Sequence, residues 1–278
     1  MIDPAADDHA EIRSVGRALD LLDFMQRAAP AGIRVRDAAT HLGIDPATAS
    51  RLLATLISRG YASRMPNRRF TLGARSLRLA SGWIDRLLQV AAAPMTRIAN
   101  GCGETVYLLQ LVGSEAVTLA RLPGTRRAII AVEVGLSYPL WATAAGRALL
   151  GTLPRAQAPS LLPLEPFPAF TPRTKTTWAD VNAAITEGLR NGMHAEEGEI
   201  DSSLSCCAIP LLDGDRDEKL ALAVSFESRR PDSERRAIQQ ALRRAWRANP
   251  KRKSSSQCKP PSRSNSSRSR RSPRPTAS

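Results

Sequence analysis

Between Ile44 and Gly60 the sequence IDPATASRLLATLISRG puts Ala47, Thr48, Ser50, Arg51 and Thr55 on one side of a predicted helix. The chemistry open to these residues is recognition, not bond-making. Small side chains let a helix approach a groove floor, hydroxyls bond phosphates or bases, and an arginine pairs with guanine or with a phosphate. The stretch has no Glu and no Lys, and its single acid, Asp45, stands where a helix cap belongs. A merely solvated helix would more often carry Glu and Lys on that face. A few residues on, Arg64, Arg68 and Arg69 surround the turn-forming Met65-Pro66-Asn67. A basic loop after such a helix is suited to holding phosphates.

The flanking sequence supplies the elements that would position these groups. Residues 35–41 have the pattern of a short amphipathic helix with Ala38, Ala39 and Leu42 inward. Gly43 permits the positive φ of a sharp turn, Asp45 is a good N-cap, and Pro46 suits the first helical position. Ala49, Leu52, Leu53, Leu56 and Ile57 then recur at helical spacing, and Gly60 is placed to end the helix. Residues 61–64 and 69–72 are two short strands of a hairpin. Upstream, Val15, Ala18, Leu19, Leu22 and Met25 predict a first helix whose inward stripe completes a three-helix core. Residues 12–74 are thus expected to form a winged helix-turn-helix that binds DNA, preceded by a flexible arm at 1–11.

Charge supports that placement. The net charge is +14, and 12 Arg against four Asp within residues 12–80 account for +8 of it. Residues 251–278 carry nine Lys or Arg and no acid, with no aromatic residue and no aliphatic one larger than Ala. That tail (249–278) cannot bury enough to fold and is expected to be disordered, with charges suited to loose phosphate contact. The rest sums to about −3, so the middle of the chain shows no sign of gripping nucleic acid.

A chain of 278 residues with 42% apolar content has room for about two ordinary globular domains. No run is long and apolar enough for a membrane span. The acidic N-terminus is unlike a secretory signal or transit peptide, which makes the cytoplasm the expected compartment. Cys102, Cys206, Cys207 and Cys258 form no CxxC pair, so neither a disulfide framework nor a structural zinc site is expected.

Beyond the basic module the periodicity predicts a connecting helix, from about residue 74 to 93, within a connecting segment of 75–96. Leu77, Ala80, Ile84, Leu87, Leu88 and Ala91 lie on one side of it, a stripe on which two chains could pack or which could equally lie on the chain's own second domain, and Trp83 is exposed. Residues 97–248 then interleave strand-like runs (105–112, 116–121, 128–132, 206–212, 220–226) with helical ones (143–150, 178–191 and a thin helix at 234–247). Hairpins imply antiparallel pairing, so the expected class is α+β. The final helix has Ile238, Leu242 and Trp246 inward.

Catalytic and metal chemistry have little to work with. His9, His41 and His194 are the only histidines, and two of them fall in the arm and the DNA module. His194 with Glu196, Glu197, Glu199 and Asp201 is more simply a solvated acidic loop than a metal site. Gly101-Cys102-Gly103 lacks the spacing of a dinucleotide loop. No enzyme activity, cofactor or metal is expected.

The segments SVGRALDLLDFM, ASRLLATLISRGY, GETVYLL, VGLSYPLWATAAGRALL and EGEIDSSLSCCAIPL, in this order over residues 14–226, resemble the IclR family of bacterial transcriptional regulators. The resemblance implies a winged helix-turn-helix on operator DNA and a GAF-like second domain that binds a small metabolite, often a carboxylate. It implies a homodimer or homotetramer that represses or activates. Carried over by motif, Ala144 and Ala145 would offer backbone N–H groups to the effector; Pro139-Leu140-Trp141, just before that helix, reads as an apolar wall. Glu196, Leu204 and Cys206 would line the other side. Two positions depart from the family pattern. Ser203 stands where Gly is common, which would narrow or repolarise the pocket, and a thin helix with a basic tail replaces an apolar closing helix. The alternatives are a constitutive DNA-binding protein with a disabled sensor, and a small-molecule enzyme fused to a basic module.

Overall fold

The computed structural model describes residues 12–126, 132–211 and 218–248. The expected arm, the tail, most of the 128–132 strand and the turn at 213–215 lie outside these residues. The chain divides into two compact units between Leu87 and Leu88.

In the first unit, α1 (Arg13–Arg27), α2 (Val35–Leu42) and α3 (Pro46–Ser58) precede a hairpin of β1 (Ala62–Arg64) and β2 (Phe70–Leu72). Gly43 ends α2 at φ 60°, and the Asp45 carboxylate accepts from Thr48 N at 2.9 Å to cap α3. Gly60, at φ 77°, closes α3, with Gly60 N donating to Ile57 O and Tyr61 N to Leu56 O, both at 2.8 Å. Leu21, Met25, Ile33, Ala38, Ala49, Leu53 and Phe70 form the core.

Helix α1 differs from expectation. Its inward residues are Leu21 and Met25, whereas Val15 and Leu19 are 52% and 58% exposed, beside Ile12 at 68%. The helix has two apolar stripes on different but neighbouring sides, and periodicity alone merges them.

Helix α4 (Ala74–Cys102) crosses the division and runs past Pro94, where the sequence suggested a stop. Pro removes one helix hydrogen bond and crowds the carbonyl four residues back, but buried Leu87, Ala91, Met95 and Ile98 continue one packed stripe on both sides of it. Leu77, on the stripe where two chains could pack, is 77% exposed. Trp83, expected to be exposed, is half-buried.

The second unit is a six-stranded antiparallel sheet of order β5-β4-β3-β8-β7-β6. The strands are β3 (Val106–Val112), β4 (Glu115–Leu122), β5 (Ser137–Pro139), β6 (His194–Glu197), β7 (Leu204–Leu211) and β8 (Leu220–Glu227). Helices α5 (Ala144–Leu150) and α6 (Trp178–Asn191) enclose the larger core, with Tyr107, Leu109, Ala208, Ala221 and Ala223 of the sheet against Leu149, Leu150, Val181 and Ile185 of the helices. Helix α7 (Asp232–Arg247) packs on β7, and the end of α4 lies against it, since a Cβ on Gly101 would come within 3.1 Å of Ala241 Cβ.

In α7 the expected Ile238, Leu242 and Trp246 face inward, and Ala241 and Ala245 are buried beside them, so the closing helix is fuller than the thin one expected. Alanines that contribute little to an apolar count still seal a helix closely against a sheet. Arg230 anchors the entry to α7 by bridging buried Glu104 at 2.6 Å and Glu234 at 3.0 Å.

Candidate DNA interface and effector cavity

On α3, Ala47, Ser50, Arg51 and Thr55 are exposed, and Ala54 and Ser58 extend the same face. Thr48 is half-buried: its N–H serves the cap and its hydroxyl accepts from Arg51 Nη2 at 3.2 Å. The Thr55 hydroxyl donates to Arg51 O at 2.8 Å, so it faces outward as an acceptor rather than a donor. Ala54 and Ser58 were legible from helical spacing, being three and four residues beyond Arg51 and Ala54.

In the wing, Met65 N donates to Arg69 O at 2.8 Å and Arg69 N to Asn67 Oδ1 at 3.0 Å. Arg64 and Arg68 are exposed, and Arg68 sits at φ 60° at the tip. Arg69 is turned differently: its Nη1 donates to Gly32 O at 2.8 Å, which pins the wing to the segment before α2. The backbone bridge between Ile33 and Phe70 reinforces that tie. Arg64 and Arg68 are therefore the wing's free cations among the described residues.

In the second unit a cavity opens between the sheet and the start of α5. Ala145, Glu196, Leu204 and Cys206 all line it. Ala144 does not: it is fully buried in the core, one helical position away from the opening. The remaining walls are Tyr107 and Leu109 of β3, Val132, Tyr138 of β5, Thr143, Ile200, Ser205, and Ala223 and Ser225 of β8. Strand alternation explains the set, because Tyr107 pairs with Ala223, and Cys206 with both Glu196 and Ser225, on one face of the sheet. The missed residues were legible as that alternation once β6 and β5 are recognised.

The expected Leu140 and Trp141 wall is absent. Leu140 is fully buried, and Trp141 packs toward Phe167 and Phe170 with Nε1 donating to Pro168 O at 3.1 Å. Ser203 does not narrow the cavity either, since it is exposed and its hydroxyl donates to Asp201 Oδ1 at 2.7 Å. Gly146 is dictated by packing: a Cβ there would lie 2.4 Å from Leu140 Cα. Thr143 caps α5 by accepting from Gly146 N at 3.0 Å and donating to Pro139 O at 2.9 Å.

The acidic stretch after His194 is the largest correction. It is not a solvated loop. His194, Glu196 and Glu199 are 1%, 7% and 3% exposed. β6 is an edge strand whose alternation sends His194 and Glu196 inward and Ala195 and Glu197 outward. Its burial is possible because Arg147, itself 1% exposed, reaches across from α5. Arg147 donates from Nε to Trp141 O at 3.0 Å and from Nη1 to Ala195 O at 3.3 Å, and it pairs with Glu199. Lys175 Nζ reaches the same carboxylate at 2.7 Å. Neither Arg147 nor Lys175 was singled out from sequence, where each reads as an ordinary surface cation.

These neighbours set the protonation of the site. Burial opposes ionisation of Glu199, but hydrogen bonds and charge from Arg147 and Lys175 outweigh it and hold the carboxyl below its ordinary value. Glu196 has no such partner. Burial pushes its carboxyl up to about 7, the Glu199 charge adds to this, and the 2.9 Å bond from Glu199 N opposes it. Burial pushes the Cys206 thiol far up and Cys207 to about 12, so both are un-ionised thiols. No group of His, Cys, Asp and Glu among the described residues could hold a metal ion. No described helix is long and apolar enough to cross a membrane.

The profile described as the bacterial transcriptional regulator IclR C-terminal domain matches residues 85–249, and that of the IclR helix-turn-helix domain matches residues 14–66. The chain belongs to the IclR family. It is 28% identical over 239 residues to the HTH-type transcriptional regulator XynR of Escherichia coli (strain K12), covering 84% of this chain and 94% of that one. An IclR transcriptional regulator from Alicyclobacillus acidocaldarius superposes with a TM-score of 0.74 at 23% identity, over 85% of this chain and 96% of the other. An IclR homologue from Microbacterium hydrocarbonoxydans, solved with 4-hydroxybenzoate, gives 0.67 at 22% identity, over 85% and 98%. This IclR-type chain is a DNA-binding transcriptional regulator with an α+β second domain.

Proposed function

We propose that this regulator binds a specific operator as a homodimer or higher oligomer in the cytoplasm, and that a small carboxylate in the cavity of the second unit sets its operator affinity. It acts without catalysis. The observation that carries the effector reading is the cavity itself, with aromatic and aliphatic walls and a single acid, Glu196, whose carboxyl titrates near neutrality. An ionised Glu196 would repel an anionic ligand. Protonated, it donates a hydrogen bond to one. A relative's 4-hydroxybenzoate complex supports an effector of this kind, with an apolar body and one carboxylate. The five buried residues that pack α7 onto the unit favour a working sensor over a disabled one.

The effector reading is tested by calorimetric titration of short carboxylates into the full chain and into Ala145→Trp. The indole should fill the cavity and weaken binding at least about a hundredfold, roughly 3 kcal/mol, with operator affinity in the absence of ligand unchanged. A ligand that binds the variant as tightly as the wild type resides elsewhere. Binding must also shift operator affinity, because only differential affinity for two states couples two sites.

For DNA, Ala47, Thr48, Ser50, Arg51 and Thr55 form the proposed reading face, and Arg64 and Arg68 hold phosphates, with Arg69 positioning the wing. Arg51→Ala should lose about 1–3 kcal/mol on the operator if it pairs with a base. Arg68→Ala should weaken all sequences alike and flatten the salt dependence. An Arg51→Ala variant that still prefers operator over random DNA as strongly as the wild type removes Arg51 from base recognition.

Oligomerisation is argued from apolar surface in the first unit. Ile12, Val15 and Leu19 share a face of α1 and are more than half exposed, as are Leu77 and Leu79 of α4. Such residues are costly to leave in water, and two-fold proteins read paired half-sites. Light scattering should give at least twice the 30.1 kDa chain mass, and Val15→Glu with Leu19→Glu should lower it. A wild-type monomer at micromolar concentration contradicts the proposal.

A further inference from the structure

The cavity of the second unit is small, and two rings make it so. Its volume is about 100 Å³. A benzene ring in a protein interior occupies a cavity of about 150 Å³. Around the opening, Ala145 of α5 and Ser205, Cys206, Ala223 and Ser225 of the sheet have short side chains that leave space. Tyr107 and Tyr138 take that space back, and among the described residues they are the only aromatic ones that line the cavity. Tyr107 is held in place: it is 3% exposed, its strand is paired on both sides, with Arg121 and Ala223, and its hydroxyl accepts from the Val132 N–H. Tyr138 is half-buried on the edge strand β5, opposite Ala116. No described residue bonds its hydroxyl, so that O–H is available to whatever enters. A tyrosine turns on two side-chain torsions only, and so holds a wall at little entropic cost. The sheet's two edge strands thus each bring one hydrogen-bonding side chain to the cavity, Tyr138 from β5 and Glu196 from β6.

We propose that Tyr107 and Tyr138 set the size of the effector, closing the cavity to ring-bearing acids and leaving room for an open-chain acid of about two to four carbons. An aromatic acid would have to leave its ring in the mouth of the cavity, where it gains little from burial. An open-chain acid enters whole and meets the Tyr138 hydroxyl as a donor. The inference rests on the reading of this cavity as the seat of a carboxylate effector, and adds which acids it admits and which side chains decide.

The test is calorimetric titration of the full chain with acetate, lactate, pyruvate and butyrate, and with benzoate and phenylacetate, followed by operator affinity in the presence of each. Tyr138→Ala vacates the space of one ring, and Tyr138→Phe keeps the ring but removes the hydroxyl. Phe170→Ala, which removes a half-exposed ring outside the cavity, is the control. In the wild type at least one open-chain acid should bind about tenfold or more tighter than either ring acid. Tyr138→Ala should bind a ring acid about tenfold tighter than the wild type does, and that acid should then shift operator affinity. Tyr138→Phe should still exclude ring acids and should bind the open-chain acid more weakly. The control should match the wild type. Where Tyr138→Ala does not fold, wild-type selectivity and Tyr138→Phe decide. Ring acids that bind the wild type as tightly as the open-chain ones overturn the proposal. So does a wild type that binds none of the four open-chain acids, or a folded Tyr138→Ala that gains nothing. If benzoate binds the wild type and Ala145→Trp abolishes that binding, the cavity still holds the effector and only the size limit fails. If open-chain acids bind selectively but leave operator affinity unmoved, the effector reading fails and the size limit stands.

Discussion

Replacing Arg147 with Met should destabilise the second unit by about 3–5 kcal/mol, the largest effect expected of any single substitution here. Arg147 is 1% exposed and joins α5 to Trp141 O, Ala195 O and Glu199. Methionine fills much of the volume but strands two carbonyls and leaves Glu199 buried with only Lys175. Removing one member of a buried pair is worse than removing both, because the remaining charge has lost its compensation. Glu199→Gln should therefore restore part of the loss in the Arg147→Met background, although alone it destabilises. Urea unfolding followed by the fluorescence of Trp141, Trp178 and Trp246 measures all four corners of the cycle. Purely additive losses would mean that the pair is not coupled.

Glu196→Gln should stabilise the protein at alkaline pH and leave it unchanged in acid. The carboxyl is raised from 4.5 to about 7 in the folded chain. Below pH 4.5 both states hold the proton. As pH rises toward 7 the unfolded chain ionises first, so the folded state loses stability until its own carboxyl ionises. Converted at about 1.36 kcal/mol per pH unit, the loss is on the order of 3 kcal/mol by pH 8. Glutamine keeps an acceptor for Glu199 N and carries no charge to desolvate. His194 acts in the opposite sense: burial first, then the Arg147 charge, lower it from 6.5 to about 3. Its contribution is present above 6.5 and lost as pH falls through 3, so the two slopes offset each other between about 4.5 and 6.5. Chemical denaturation of both proteins from pH 4 to 8 checks this. A stability difference that does not grow with pH would show that Glu196 ionises without penalty.

The gain in stability should come with altered effector response. Glutamine remains a donor at every pH, so a carboxylate that needs protonated Glu196 should bind the variant without the weakening above pH 7 expected of the wild type. A buried acid that costs stability at working pH is a typical mark of a functional cavity.

How much of this was legible depended on whether the deciding interactions were local. The turn from Gly43 through Asp45 to Pro46, the close at Gly60 and the wing at 62–72 were all readable, because caps, positive-φ glycines and hairpin loops act within a few residues. The α+β class and the strands of 105–112 and 220–226 followed from hydrophobic runs. The family resemblance located Ala145, Glu196, Leu204 and Cys206, which do line one cavity. What failed were several judgements about which side of an element meets another. Both stripes of α1 are apolar, and only packing against α2 decides that Leu21 goes in while Leu19 stays out. Arg69 looks like a phosphate ligand until Gly32 O is brought beside it. The acids after His194 look solvated because Arg147 and Lys175, which compensate Glu199, lie 52 and 24 residues away in sequence. Propensity and spacing belong to the chain itself, whereas the burial of a charge depends on a partner that only the tertiary fold delivers.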